Sequence, residues 1–376
     1  MNTNGVTGTL DTLIIGGGQA GLALGYYLQE QHRTFRILDA NRRTGDSWRQ
    51  RWDSLRVFTP AKFDGLPGVP FPGDPLYFPT KDDIAGYLEG YAAKLGLPVA
   101  RGVRVERLWR EADRFIAASN GLRWEAHNVV VATGSTQTPK VPGFAVDLGP
   151  GVVQFHSSEY RNPLQLQDGP VLVVGLGNSG AEIAKEVSGT HATFVAGKPT
   201  AELPVKHGRA AARFVLPLVR IIGLHVLTLG TPVGRRLLPK MQAHAEPLIR
   251  TKTKHLAAAG VRRVPRVTGV QAGLPVLEDG TRLDVANVIW CTGFKDDFSW
   301  MDAALLDDGA LPRQWRGVAL QSPGLFFLGH RFMYAEASDT LPGISRDARY
   351  LAGKIPVTGT GEATAPSRPT DASAAT

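Results

Sequence analysis

With one cysteine in 376 residues, Cys291, the chain has no internal disulfide framework and no Cys-x-x-Cys pair. Dithiol chemistry is thereby excluded, and a reducing compartment suits the sequence. Long apolar runs are missing as well. The nearest candidate, residues 214–229 (FVLPLVRIIGLHVLTL), is interrupted by Pro217, Arg220, Gly223 and His225 and falls short of the roughly 18 continuous apolar residues of a membrane span. The first ten residues, MNTNGVTGTL, have no basic stretch leading into an apolar one, so no secretory signal is expected there. These absences predict a cytoplasmic protein, and no metal is expected.

Acids are scarce in one region. Between His191 and Arg266 only Glu202 and Glu246 stand against many Lys and Arg, in a chain whose net charge is +8. Something anionic is expected to visit this segment. A nucleic acid or a membrane surface would be attracted to it, but no helix-turn-helix or aromatic-interleaved basic motif accompanies the charge. A phosphorylated cofactor is the simpler partner. No nucleic acid is expected, and membrane contact is expected to be weak and peripheral; the sequence does not specify an oligomeric state.

A chain of this length with 43% hydrophobic residues can fill two cores. Residues 12–15 form a short apolar run that enters Gly16-x-Gly18-x-x-Gly21, with Gln19 and Ala20 inside the turn. A helix pattern follows through Leu22, Leu24, Tyr27 and Leu28, and a second strand, residues 35–38, ends at Asp39. An acid about 20 residues past such glycines can accept both hydroxyls of an adenosine ribose, while the helix N-terminus holds a pyrophosphate.

The same grammar recurs. Residues 171–174 lead into Gly175-x-Gly177-x-x-Gly180, with Asn178 and Ser179 inside the turn, and a second strand, residues 192–196, follows the helix. Where the first unit ends in Asp39, this one ends in Gly197-Lys198. A carboxylate would repel a ribose 2′-phosphate and a cation attracts it, so the second site should prefer NADPH to NADH, with Lys198 as the contact and Lys206 and Arg209 as lesser helpers. An acid-terminated first unit suits FAD, and a cation-terminated second unit suits NADPH as the exchangeable hydride donor. Two further strands, Val129-Val130-Val131-Ala132-Thr133-Gly134 and Val288-Ile289-Trp290-Cys291-Thr292-Gly293, each end in a small residue, Thr and Gly. Small residues there let backbone pass close to a cofactor or between domains.

With these motifs in order, the chain from Thr12 to about Lys354 resembles the class B flavin-dependent monooxygenases, which include flavin-containing monooxygenases and YUCCA-type enzymes, and in particular their small bacterial relatives. The resemblance is carried further by Trp48-Arg49-Gln50-Arg51-Trp52-Asp53-Ser54-Leu55-Arg56, Thr59-Pro60, Leu66-Pro67-Gly68-Val69-Pro70-Phe71-Pro72 and Phe78-Pro79-Thr80-Lys81. It implies that Trp48, Arg51 and Thr59 lie along the flavin. It also implies that Gly324-Leu325-Phe326-Phe327-Leu328-Gly329 is the last flavin-domain strand, and that the helix start Gly343-Ile344-Ser345-Arg346-Asp347-Ala348 points at the flavin's pyrimidine edge. The family fingerprint is partial: His156 and Tyr160 are kept, the glycine sits one place away at Gly151, and the leading Phe is missing. His156 is thus a candidate for either a catalytic or a junction role.

The expected fold is α/β with two Rossmann-like dinucleotide-binding domains, the second inserted into the first. The FAD domain is expected at 1–165 and 285–355 and the NADPH domain at 166–284, with a helical insertion at about 201–256 that caps the substrate entrance or serves as a plain structural subdomain. A disordered tail is expected at 356–376. The resemblance implies a monooxygenase that inserts one atom of O2 into a small organic substrate through a C4a-(hydro)peroxyflavin. The alternative is a flavin-dependent NAD(P)H reductase serving a quinone, ferredoxin or other acceptor.

Overall fold

The computed structural model describes residues 9–198, 200–243, 246–307 and 311–358, with side chains at 238–243 excepted. The first glycine turn sits at the end of strand Leu10–Ile15, which is buried along its whole length because parallel neighbours flank it on both sides, Phe35–Asp39 and Leu122–Val131. Among the described residues this sheet has nine strands. Val99–Arg101 extends it beyond Phe35–Asp39, Leu325–Phe327 pairs in parallel on the far side of Leu122–Val131, and short antiparallel strands complete the edges. Helix Gln19–Glu30 covers one face through Leu22, Leu24 and Leu28 and packs against helix Leu341–Ala352. Each fully buried Leu or Ile of this layer contributes about 1.5–3 kcal/mol.

The second sheet is entirely parallel, in the order Arg262–Val264, Thr193–Ala196, Val171–Val174, Asn287–Trp290, Val153–His156. Helix Asn178–Val187 packs over it with Ala181, Ile183, Ala184 and Val187 buried. The fold is therefore α/β, with a glycine turn on each of two sheets, and the sheets do not divide the chain at the expected boundaries. Val153–His156 and Asn287–Trp290, expected in the FAD segments 1–165 and 285–355, pair into the second sheet. The physical reason is that the central strand of a parallel sheet is paired on both sides: Val171–Val174 takes Asn287–Trp290 as its second neighbour, and that strand in turn pairs with Val153–His156, which forms the sheet's edge.

Between the units the chain crosses twice, and the two crossings pair with each other. Thr138–Pro139, shortly after Gly134, and Phe294–Lys295, directly after Gly293, form an antiparallel ribbon. The Trp48–Arg56 motif also bridges the units, since Trp52 and Leu55 are buried in the second unit's core beside Tyr160 and Leu176.

Helix Lys81–Lys94 begins at a capping box formed by Thr80 and Asp83, which explains the Phe-Pro-Thr-Lys sequence at its start. Its buried tyrosines hold the 66–72 loop: Tyr87 Oη donates to Val69 O at 2.6 Å and Tyr91 Oη to Pro67 O at 2.8 Å. The 201–256 segment is helical in pieces, Arg209–Phe214, Leu216–Ile221, a π-turn at Ile222–Val226, Pro232–Ala243 and Thr253–Ala258. At the C-terminal end, residues 356–358 are tied to the first sheet. Thr358 N donates to Asp11 Oδ1 at 2.9 Å, and Pro356 O accepts from Asn128 Nδ2 at 3.1 Å. The remainder of the expected tail, 359–376, lies outside the described residues.

Candidate functional site

The two glycine turns share one backbone arrangement at their first and third glycines. Gly16 has φ +114° and Gly175 φ +111°; a Cβ on Gly16 would lie 2.3 Å from Ala132 O, and one on Gly175 would lie 2.2 Å from Cys291 O. Ala132-Thr133-Gly134 and Cys291-Thr292-Gly293 therefore do the same work, each laying a carbonyl against the first glycine of its turn. The third glycines are equally constrained, because a Cβ on Gly21 would meet Gly16 O at 2.0 Å and one on Gly180 would meet Gly175 O at 1.9 Å. The middle glycines differ from both. Gly18 and Gly177 have nothing within 4 Å of a built Cβ, so each faces open space at the N-terminus of its helix. That cradle fits a pyrophosphate, whose charge the free N–H groups and the helix dipole favour.

Beside the first turn stands Asp39, 4% exposed. Its Oδ1 accepts from Asn41 N and Asn41 Nδ2, both at 3.0 Å, while the buried Oδ2 has no partner and lies 2.7 Å from where a Gly17 Cβ would be. Burial raises its pKa against the lowering pull of the Asn41 bonds. A buried oxygen waiting for a donor at this place fits ribose hydroxyls. Trp48 Nε1 donates to Gln19 Oε1 at 3.1 Å, and Gln19 Nε2 reaches Asp339 O at 3.4 Å. This chain joins the Trp48 motif, the start of helix Gln19–Glu30 and the residue preceding Thr340, the N-cap of helix Leu341–Ala352. Two helix N-termini thus converge on one site. Gly329, at φ +77°, approaches so closely that its Cβ would meet Ala20 Cβ at 2.7 Å.

The second turn has a different neighbour. Lys198, exposed at the end of strand Thr193–Ala196, lines an open cleft of about 450 Å³ with Gly197, Arg263, Val264, Pro265, Arg266 and Glu278. Three cations against one carboxylate give the cleft a positive potential. Arg263 and Arg266 were not legible in sequence, because the strand that brings them beside Lys198 is more than sixty residues downstream. Neither Lys206 nor Arg209 lines this cleft, and Arg209 pairs with Asp74 instead. Asn178 ties down a loop, donating to Pro247 O at 3.0 Å and accepting from Ile249 N at 3.0 Å. Ser179 is half-buried in the first turn of the same helix.

The remaining expected site residues fall into three places. Arg51 and His156 meet around the Phe294 ring at the ribbon: the Arg51 guanidinium lies 5.5 Å from its centroid and also donates to Thr136 Oγ1 at 3.0 Å. Both His156 ring nitrogens are engaged, Nε2 with Gly293 O at 3.0 Å and Nδ1 with Ser158 Oγ at 2.8 Å, and burial lowers its pKa. A histidine held this way buttresses the junction. Thr59 donates its hydroxyl to Asp64, a fully buried acid whose pKa burial pushes up to about 7. Asp347 lies in the second turn of its helix, where Arg346 Nε donates to its Oδ1 at 2.7 Å while its buried Oδ2 is without a partner.

Three acids that sequence motifs did not mark have raised pKa values. Asp64 is one; the others are Asp339, pushed up to about 6, and Glu336, pushed up to about 7, both chiefly by burial. Asp339 Oδ2 accepts from Ser135 Oγ at 3.2 Å, directly after Gly134. Cys291 is half-buried, and desolvation of its thiol pushes the pKa up to about 12, which makes it a poor nucleophile.

Residues 13–204 match the family described as pyridine nucleotide-disulphide oxidoreductase. The chain is 38% identical over 350 residues to an uncharacterized CzcO-like oxidoreductase of Geobacillus kaustophilus, covering 92% of this chain and 98% of that one. It is 28% identical to the probable indole-3-pyruvate monooxygenase YUCCA3 of Arabidopsis thaliana, over 84% of this chain and 81% of that protein. Among solved structures, a flavin-containing monooxygenase from Stenotrophomonas maltophilia superposes with a TM-score of 0.74 at 28% identity, over 92% of this chain and 98% of that one. The chain therefore belongs to the pyridine nucleotide-disulphide oxidoreductase family and is an enzyme of its class B flavin-dependent monooxygenase group.

Proposed function

We propose that the chain is an FAD- and NADPH-dependent monooxygenase that places one atom of O2 on a small organic substrate. The observation that carries this reading is the contrast between two matching turns: a buried, half-partnered Asp39 beside the first, and the Lys198–Arg263–Arg266 cleft beside the second. The first fits the ribose hydroxyls of FAD and the second the 2′-phosphate of NADPH. Bound flavin supplies hydride acceptance and oxygen activation.

The protein's own part is positioning. The Gly18 and Gly177 cradles hold the two pyrophosphates, and Trp48 with Gln19 fixes the entry to the flavin site. The N-terminus of helix Leu341–Ala352 favours negative charge on whatever lies against it. The ribbon at Thr138–Pro139 and Phe294–Lys295, with Arg51 and His156 packed on Phe294, sets the relation of the two units. Glu336 and Asp339, which interact with each other, and Asp64 are acids whose raised pKa values let them hold protons near neutral pH.

The experiment is anaerobic reduction of the yellow holoprotein with NADPH, followed by rapid mixing with oxygenated buffer. The expected result is a transient absorbance distinct from both oxidised and reduced flavin and lasting seconds or longer. Direct return to oxidised flavin with stoichiometric peroxide would overturn the oxygenase reading in favour of a reductase.

A further inference from the structure

Residues 203–245 contain no Asp or Glu and seven Lys or Arg. Within this stretch the helical path does not stop at Phe214. Val215 N donates to Ala211 O and Val219 N to Val215 O, so Arg209–Phe214 and Leu216–Ile221 run on as one rod into the π-turn Ile222–Val226. The rod has two apolar faces. One is buried through Ala211, Ala212, Leu216 and Leu224. It rests on the segment before the last helix: Thr228 bridges Ala335, Leu229 N donates to Tyr334 O at 2.7 Å, and Arg346 bonds Leu224 O.

The other face is exposed. Phe214 is 72% exposed, Leu218 58% and Ile221 50%, at the i, i+4, i+7 spacing of one helical stripe. Val233 and Leu237 on the next helix are also exposed. Cations accompany the stripe in the same stretch: Arg213, whose guanidinium lies 5.6 Å from the Phe214 ring, and Lys206, Arg235 and Arg236, all exposed. Arg209 at the rod's start is exposed but paired with Asp74.

We propose that this face docks on an anionic lipid surface. Charge complementarity selects that occupant. A second copy of the chain meeting the face about a two-fold axis would bring the same cations against each other with no acid in the stretch to offset them. An anionic bilayer accepts both halves of the pattern, the apolar stripe into the acyl boundary and the cations at the headgroups. No helix among the described residues is long and apolar enough to cross a membrane, so the contact is interfacial. The inner face of the same rod stands over the 334–346 segment, so apolar substrates dissolved in the bilayer would enter beside it. The docking itself does not depend on the oxygenase reading.

The test is flotation of the full-length holoprotein with vesicles of equal parts phosphatidylglycerol and phosphatidylcholine, and with phosphatidylcholine alone, at physiological salt. The expected result is association with the anionic vesicles about tenfold or more above the neutral ones, falling about tenfold or more in a Phe214→Ser/Leu218→Ser/Ile221→Ser variant. Flavin absorbance and the melting temperature report that the variant is folded. Should it fail to fold, the Arg235→Glu/Arg236→Glu variant, changed only at exposed arginines, is expected to lose binding to the anionic vesicles. Wild-type protein that stays unbound, or a folded variant that binds as wild type does, would overturn the proposal. So would light scattering that shows a wild-type dimer turned monomeric by the triple substitution, since a second copy would then be the occupant.

Discussion

Replacing the middle glycine of each turn with valine separates folding from ligand binding. Gly18 has φ −78° and ψ −170° and Gly177 φ −91° and ψ −173°, extended conformations that valine adopts freely, and a Cβ at either place meets nothing within 4 Å. Both are helix N-caps, where exchanging glycine for a β-branched residue costs about 1 kcal/mol, small against a stability of about 5–15 kcal/mol. The pyrophosphate would feel the change fully, because the added methyls fill the space it needs. Losing two charge-assisted bonds at about 1.5–3 kcal/mol each weakens binding by about 3–6 kcal/mol, roughly 10²–10⁴-fold. Gly18→Val should therefore melt within a few degrees of wild type yet purify colourless. Gly177→Val should stay yellow and lose reduction by NADPH, while chemical reduction of its flavin is unchanged. The assays are the flavin-to-protein absorbance ratio, thermal melting and rapid-mixing reduction. A yellow Gly18→Val protein, or a Gly177→Val protein that loses flavin and keeps NADPH affinity, would refute the assignment of the two turns.

Two further outcomes follow from the same geometry. Lys198→Ala should lower the NADPH-to-NADH preference in kcat/KM by about tenfold, the modest size reflecting an exposed contact shared with Arg263 and Arg266; an unchanged ratio would remove Lys198 from the 2′-phosphate site. Asp64, raised to about 7 in the folded protein against about 4 unfolded, binds more protons folded than unfolded in that window, so its contribution to stability falls as pH rises from 4 to 7. Asp64→Asn should flatten that part of the melting-temperature profile, and a profile that still falls as steeply would place the titration elsewhere.

The glycine turns were legible because part of their constraint is local: the positive φ of +114° at Gly16 and +111° at Gly175 favours glycine before any distant contact is made. Asp39 and Lys198 were legible for a related reason, since a strand end after such a turn is a fixed place. Strand membership was not. Val153–His156 and Asn287–Trp290 are short apolar runs that could have joined either sheet, and only pairing across the inserted unit decides which. Arg263 and Arg266 were hidden because nothing in their own neighbourhood marks them; a parallel strand carries them to Lys198. Asp64 looked like an ordinary loop acid, and its burial depends on a loop that Tyr87 and Tyr91 pin from a helix twenty residues on. His156 was marked as a motif residue, but its double engagement with Gly293 and Ser158 exists only once the two crossings lie side by side.

The interleaving of the units imposes an order on synthesis. The first strand to be made, Leu10–Ile15, lies beside Leu122–Val131, whose other parallel neighbour, Leu325–Phe327, and whose covering helix, Leu341–Ala352, come from the opposite end of the chain. The inserted unit, in contrast, has its last strand once Trp290 has left the ribosome. During translation the unit encoded second is thus the first to be able to close its sheet, and the N-terminal unit waits with Val129–Val131 bare on one flank, where Arg114–Ser119 covers only the Leu122–Ala126 part of the strand. A nascent chain stalled between residues 291 and 324 would present Val129–Val131 as an unpaired strand edge, open to pairing with another chain.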